Sequence, residues 1–176
     1  MPEPLRTPDE ADRLHAVLDA NTANPLMLMS GFKEFSAESK NTLVARMAER
    51  QEPLPPGKVL ARLPFILTSA NKAGMEEVFL MNLESPSAEA RTASLYGLQE
   101  LCHARLLERA ERLLLDEADD VRVAACSLVL PRSKQDAALQ PRLREIYAVQ
   151  RDQPEYYGSN AMYEAHGFGV PPPASK

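Results

Sequence analysis

The 176-residue sequence carries a net charge of −5, with 44% hydrophobic and 26% charged residues, values typical of a folded globular domain. The acidic excess argues against general binding to nucleic acid or to anionic membranes, because both depend on Lys and Arg. Aromatic residues make up only 6% and Trp is absent. The core is therefore predicted to consist of Leu, Ala, Val and Met, which favours helices over strands.

Nothing at the start of the sequence resembles a targeting signal. Met1-Pro2-Glu3-Pro4 lacks a basic segment followed by an apolar one, and no apolar run approaches the roughly 20 residues that span a bilayer. Cys102 and Cys126 lie within apolar helical runs, so both are predicted to be buried thiols rather than a disulfide. We expect a cytoplasmic protein that does not bind membranes.

The first predicted helix begins at Thr7-Pro8-Asp9-Glu10, where a hydroxyl cap precedes a proline and an acid, and ends near Asn21. Residues 25–35 are apolar but short, and a short helix is predicted there. Ser36 is expected to cap the next helix. Three prolines in residues 51–58 then indicate a linker, because proline interrupts helices.

Residues 59–70 again follow the helical period, although Pro64 is expected to kink or split this segment. Lys72-Ala73-Gly74 is predicted to end it. Pro131 is predicted to stop a later helix, and the last helix is expected to reach Gln150. No segment alternates apolar and polar residues as strands do, so essentially no sheet is expected.

The segment from residue 75 to residue 130 contains an internal repeat of helix, polar turn and helix. Arg91 and Arg122 are 31 positions apart (122 − 91), each within a run of small residues. The same shift superposes the apolar positions of the preceding helices: Met75 with Leu106, Phe79 with Ala110, and Leu83 with Leu114. One such helix pair cannot bury its apolar faces alone, so neighbouring pairs are expected to stack.

The run from Asp119 to Leu128 (DDVRVAACSL) resembles the second-helix signature of HEAT and HEAT-like repeats, including the PBS-lyase type, and residues 87–94 are a looser copy. Residues 45–48 form a degenerate third copy. The resemblance implies an all-α, short right-handed α-solenoid of antiparallel helix pairs in a single domain, residues 1–150, with repeats clearest at 75–101 and 103–130. It also implies that the structural arginines, Arg91 and Arg122, pair with an acid such as Asp119 or Asp120.

The tail, residues 151–176, loses the helical period and is predicted to be irregular. It contains Pro154, three glycines and a Pro171-Pro172-Pro173 run. It also holds four aromatic side chains: Tyr156, Tyr157, Tyr163 and Phe168. These either pack back on the last helix pair as a cap or form a docking segment, because tyrosine suits interfaces with one wet end.

The sequence contains no recognisable motif for catalysis. It has no zinc or phosphate-loop motif, no nucleophile elbow and no cysteine with a placed histidine base. The acids of residues 116–120 lack the EF-hand spacing and are better explained as a helix-capping turn. No metal, no cofactor and no enzymatic activity are therefore expected.

A HEAT-like DNA glycosylase is the sharpest enzymatic alternative, because Arg105, Arg109 and Arg112 form a basic stripe at helical spacing. Glu108 and Glu111 interleave with that stripe, and Glu108 is placed to pair with Arg112. A solvated, ion-paired face is the preferred interpretation.

The function predicted from this pattern is a non-catalytic scaffold or adaptor that binds a protein partner on the concave face of the second helices. The candidate contact residues are Glu89, Thr92, Tyr96, Gln99, Arg122 and Val123, with Tyr156 and Tyr157 from the tail. An immunity-type inhibitor that masks a basic toxin is the alternative that small size and acidity favour. The sequence leaves the partner's identity and the oligomeric state open.

Overall fold

Helices dominate the chain in the computed structural model, which describes residues 9–20, 34–50, 54–55, 57–67 and 70–169. No strand occurs within those ranges, so the predicted all-α class is confirmed for them. The α-helices are α1 Glu10–Ala20, α2 Ala37–Ala48, α3 Gly57–Leu60, α4 Leu63–Ile66, α5 Lys72–Asn82, α6 Ala88–Glu100, α7 Leu106–Arg112, α8 Asp119–Ser133, α9 Leu139–Gln150 and α10 Tyr157–Ala165. Two 3-10 turns, Leu113–Leu115 and Pro154–Tyr156, extend α7 and precede α10.

Several predicted boundaries in the first half need correction. The segment at Lys72-Ala73-Gly74 begins α5 instead of ending a helix, because the Asn71 side chain accepts a hydrogen bond from the Ala73 amide at 3.0 Å. Pro64 was expected to kink or split its segment, and the structure shows a split, between α3 and α4. The short helix predicted at residues 25–35 lies almost wholly outside the described residues. Of the predicted linker, Gly57 already belongs to α3.

Three predictions about the second half are wrong. Helix α8 does not stop at Pro131 but continues to Ser133. A proline in the last turn removes only one amide donor, and the helix ends soon after it. The tail is not irregular over residues 154–165, which form a 3-10 turn and α10. Cys102 is exposed, not buried, because it follows the end of α6 in a left-handed backbone conformation with φ of 52°. Cys126 is buried as predicted.

The chain divides into two compact units, unit 1 over Met1–His103 and unit 2 over Ala104–Lys176. In unit 1, α2 packs on α1 and α5, while α6 packs on α5 and on both α3 and α4. The Arg46 guanidinium, near the end of α2, binds the carboxylates of Asp9 at 2.5 Å and Asp12 at 2.7 Å at the start of α1. At the start of α2, Ser36 Oγ donates to the Glu10 carboxylate at 2.6 Å, so the first turn of α1 contacts both ends of α2.

Helices α5 and α6 approach closely where Gly97 faces Phe79. A Cβ atom at Gly97 would collide with the ring of Phe79, which is fully buried. A shift of 31 residues from this pair leads to Leu128 and Ala110, so the large and small side chains exchange places between the repeats. The exchange conserves volume, which packed helix pairs tolerate better than an added or deleted side chain.

In unit 2, α8 packs on α7 and on α10, and α9 contacts α10. Arg142 of α9 binds Glu111 of α7 at 2.8 Å. The tail aromatics Tyr163 and Phe168 are buried in an aromatic cluster with Tyr147, with ring centroids 5.7 Å between Tyr147 and Tyr163 and 5.6 Å between Tyr163 and Phe168. These contacts favour the capping role for Tyr163 and Phe168.

Candidate partner-binding surfaces

Arg91 fastens the turn that precedes α6. Its Nη1 donates to the carbonyl oxygens of Ser85 at 2.7 Å and Pro86 at 3.2 Å, and only 6% of the residue is exposed. Ser87 caps the same helix by accepting from the Ala90 amide at 3.3 Å. Turn and helix are thus held by one buried side chain and one local cap.

Arg122 makes the same contacts at the start of α8. Its Nη1 donates to the carbonyl oxygens of Asp116 at 2.6 Å and Glu117 at 2.9 Å, and it is 1% exposed. Both carbonyls lie 31 residues after those that Arg91 binds, which is the spacing of the two arginines. The repeat found in the sequence is therefore also a repeat of side-chain contacts, and Arg91 and Arg122 have equivalent settings within their own units.

Arg122 also binds the tail. Its Nη2 donates to the Asp119 carboxylate at 2.9 Å and to the Glu155 carbonyl oxygen. The guanidinium carbon lies 4.0 Å from the centroid of the Tyr156 ring, within cation–π range. Arg122, predicted above to contact a partner, is thereby placed inside unit 2, and half-buried Tyr156 serves as its stacking partner.

Asp119 caps α10 from a distance of 39 residues in the chain. Its carboxylate accepts hydrogen bonds from the amides of Gly158 at 2.8 Å and Ser159 at 3.2 Å. Burial disfavours the charged form of Asp119, but these amide bonds outweigh it and lower the pKa of the carboxyl. A Cβ atom at Gly158 would collide with the Asp119 carboxylate and crowd Val123, so only glycine permits this approach. The neighbouring Asp120 is exposed.

The buried side-chain amide of Asn160 binds backbone carbonyls that precede α10, as Arg91 and Arg122 do for α6 and α8. Its Nδ2 donates to the carbonyl oxygens of Gln150 at 3.1 Å and Arg151 at 3.3 Å, at the end of the preceding helix. Asn160 is 8% exposed. Sequence reasoning missed this residue because the Val-Arg signature is absent here; the only signal was a polar residue one turn into a segment expected to be irregular.

The predicted contact residues of α6 lie on one face of that helix. Their spacings of three and four residues align them, with Glu89, Tyr96 and Gln99 exposed and Thr92 half-buried. The structure therefore brings these four together within unit 1, whereas Arg122 belongs to unit 2. In unit 2, half-buried Val123 packs near Gly158, while Tyr157 leaves 82% of its surface in solvent.

Helix α3 borders this α6 face within unit 1. Helix α3 begins with Gly57 against the Glu89 side chain, and α4 contacts α6 as well. Phe65 of α4 and Tyr96 of α6 are both 38% exposed. The face thus combines aromatic surface with polar groups, the composition expected of a protein interface.

Two arginines of the basic stripe, Arg105 and Arg112, are ion-paired, as the sequence indicated. Glu108 binds Arg105 at 2.7 Å and Arg112 at 3.1 Å, and all three side chains are exposed. The hydrogen bond from Arg105 lowers the pKa of Glu108. Exposed pairs of this kind contribute little to stability and leave few free cations for phosphate.

Groups suited to chemistry are scarce in the described ranges. Burial raises the pKa of the Cys126 thiol to about 12, so it is no nucleophile at neutral pH. No group of three or more His, Cys, Asp or Glu placed to hold a metal ion occurs among the residues described. Of the helices in the described part of the chain, none has both the length and the apolarity to cross a bilayer.

Comparison with models of protein families, with curated proteins and with solved structures gives no match for this chain.

Proposed function

We propose that this chain is a non-catalytic scaffold of HEAT-like helix pairs that binds a protein partner on the exposed face of its second helices. The observation that carries the proposal is the line of Glu89, Thr92, Tyr96 and Gln99 on α6, which puts an exposed tyrosine between polar side chains. Tyrosine is enriched where partners meet, because its ring supplies contact area and its hydroxyl stays hydrated.

The repeated buried contacts support the scaffold part of the proposal. The side chains of Arg91, Arg122 and Asn160 each donate to two consecutive carbonyls before their helix. Such contacts rigidify the turn before each of these helices, so the exposed faces are presented without a large ordering cost on binding. This arrangement is consistent with a solenoid of stacked pairs.

The distribution of charge favours a basic partner. Residues 1–103 contain 14 acidic and 10 basic side chains, whereas residues 104–176 contain 11 and 10, so most of the net negative charge belongs to the part that carries α6. Complementary charge speeds association and selects among partners. An inhibitor that masks a basic toxin is the special case of this function that the acidic excess favours.

Site-specific crosslinking tests the proposal. A photoreactive phenylalanine analogue replaces Tyr96 in one sample and Leu115 of unit 2, which is 59% exposed, in the control. We expect a protein to be captured at position 96 but not at position 115. Adding Gln99→Arg should abolish this capture, because the long cationic side chain blocks the same face. Identical captures at both positions would refute the proposal, as would capture that survives Gln99→Arg.

Purified partner then gives a quantitative check. Tyr96→Ala is expected to weaken binding by at least about tenfold, the effect of losing a central aromatic contact. The circular dichroism spectrum of the variant must match that of the wild type, so that loss of binding is not loss of fold. Unchanged affinity would exclude this face.

A further inference from the structure

A cleft of about 320 Å³ opens in unit 2 between the segment that follows α9 and one face of α10. Its lining includes Arg151, Asp152, Tyr157, Asn160 and Glu164. The volume is at the lower end of the range for ligand pockets, about 300–1,000 Å³, and suits one long side chain with its adjoining backbone. The cleft shares no residue with the α6 face of unit 1, so binding in it is tested separately from binding to that face.

Two carboxylates in the lining of this cleft have acceptor capacity to spare. Asp152 is exposed, and Glu164 accepts one hydrogen bond, from the Tyr147 hydroxyl at 3.0 Å, which leaves most of its acceptor capacity open. Asn160, only 8% exposed, uses its Nδ2 for backbone carbonyls, but its Oδ1 has no partner among the described residues. That oxygen is shielded from solvent, so the acceptors open to a ligand are the two carboxylates.

The one cation in the lining neutralises only part of this charge. Arg151 binds the adjacent Asp152 through its Nε at 3.2 Å, and both side chains are largely in solvent. Such an exposed pair between chain neighbours is weak. This pair leaves the charge of Glu164 unneutralised, so the lining carries a net charge of −1 and attracts a cation.

The exposed ring of Tyr157 indicates which cation. The preceding Tyr156 already holds a guanidinium of the chain itself, that of Arg122 at 4.0 Å, whereas Tyr157 is 82% exposed at the cleft. A planar guanidinium stacks on an aromatic ring and presents five N–H donors to carboxylates and amides. An ammonium group lacks both the planar stacking and the fork of donors.

We propose that this cleft binds an arginine side chain carried by a segment of a protein partner. The guanidinium stacks on Tyr157 and donates to the carboxylates of Asp152 and Glu164. The cleft thereby binds arginine more tightly than lysine and repels acidic segments.

Nuclear magnetic resonance titration of the full-length ¹⁵N-labelled chain tests this inference. The probes are three capped peptides of Gly and Ser with one central residue, which is arginine, lysine or the neutral isostere citrulline. We expect the arginine peptide to shift amides of residues 151–164 at millimolar concentration, with weaker binding of lysine and least of citrulline. Equal binding of citrulline, or shifts dispersed over other acidic regions, would overturn the proposal.

Variants then assign the contacts. Glu164→Gln still accepts the hydrogen bond from Tyr147 but loses its charge, so we expect the Kd for the arginine peptide to rise about 2- to 5-fold. Tyr157→Leu removes the aromatic ring, and we expect a rise of the same size. Glu145→Gln removes an equal charge from exposed α9 outside the cleft and is the matched control. An equal effect of Glu145→Gln would mean nonspecific attraction and overturn the site. Tyr96→Ala is expected to leave peptide binding unchanged, which separates this result from the test of α6.

Discussion

Replacing Arg122 by alanine removes the side chain that joins α8 to the tail. Arg122 is 1% exposed and binds the carbonyls of Asp116, Glu117 and Glu155 as well as the Asp119 carboxylate. Breaking a buried ion pair by removing one partner costs about 3–5 kcal/mol, because the remaining charge is uncompensated. One third of the Asp119 side chain is exposed, so water partly compensates it, and we expect about 3 kcal/mol.

Urea unfolding followed by circular dichroism measures the loss, and hydrogen exchange with mass spectrometry locates it. Protection should fall first in α10 and its 3-10 turn, because Glu155 and Tyr156 lose their anchor on α8. Arg132→Ala is the matched control: it removes an exposed arginine from the same helix and should change stability by less than about 0.5 kcal/mol. A loss at Arg122 no larger than at Arg132 would refute the reasoning.

Three further variants or reactions test the packing. Gly97→Ala should destabilise by about 1–3 kcal/mol through its clash with the Phe79 ring, and Phe79→Leu should recover part of that loss in the double variant, as thermal melts will show. Because the folded-state pKa of Asp119 is lowered, its stabilisation is complete above the unfolded value of about 3.9 and is lost as pH falls through the folded value. Urea curves from about pH 5 down to about pH 2 should therefore depend less on pH in Asp119→Asn; equal slopes would contradict this. At neutral pH a maleimide should label Cys102 in the native chain and Cys126 only after denaturation, and early labelling of Cys126 would disprove its burial.

Local sequence signals were sufficient to predict the two helix pairs that are related by the 31-residue shift. Ser87 caps α6 by bonding an amide three residues ahead, and Arg91 binds carbonyls five and six residues behind. These partners lie within one or two turns, so composition and spacing already contain them. The same holds for the ion-paired stripe around Glu108, whose partners lie three and four residues away.

Tertiary structure decided the end of the chain. The sequence predicted an irregular segment where α10 lies; in the structure Asp119 caps this helix from 39 residues away and Arg122 holds the turn before it. No window of local sequence reveals a cap supplied by another helix. The cleft at Tyr157 likewise exists only because α10 is fastened there, since its lining comes from α10 and the turn before it. The sequence alone therefore determined the repeating element, and long-range contacts determined which surfaces remain exposed.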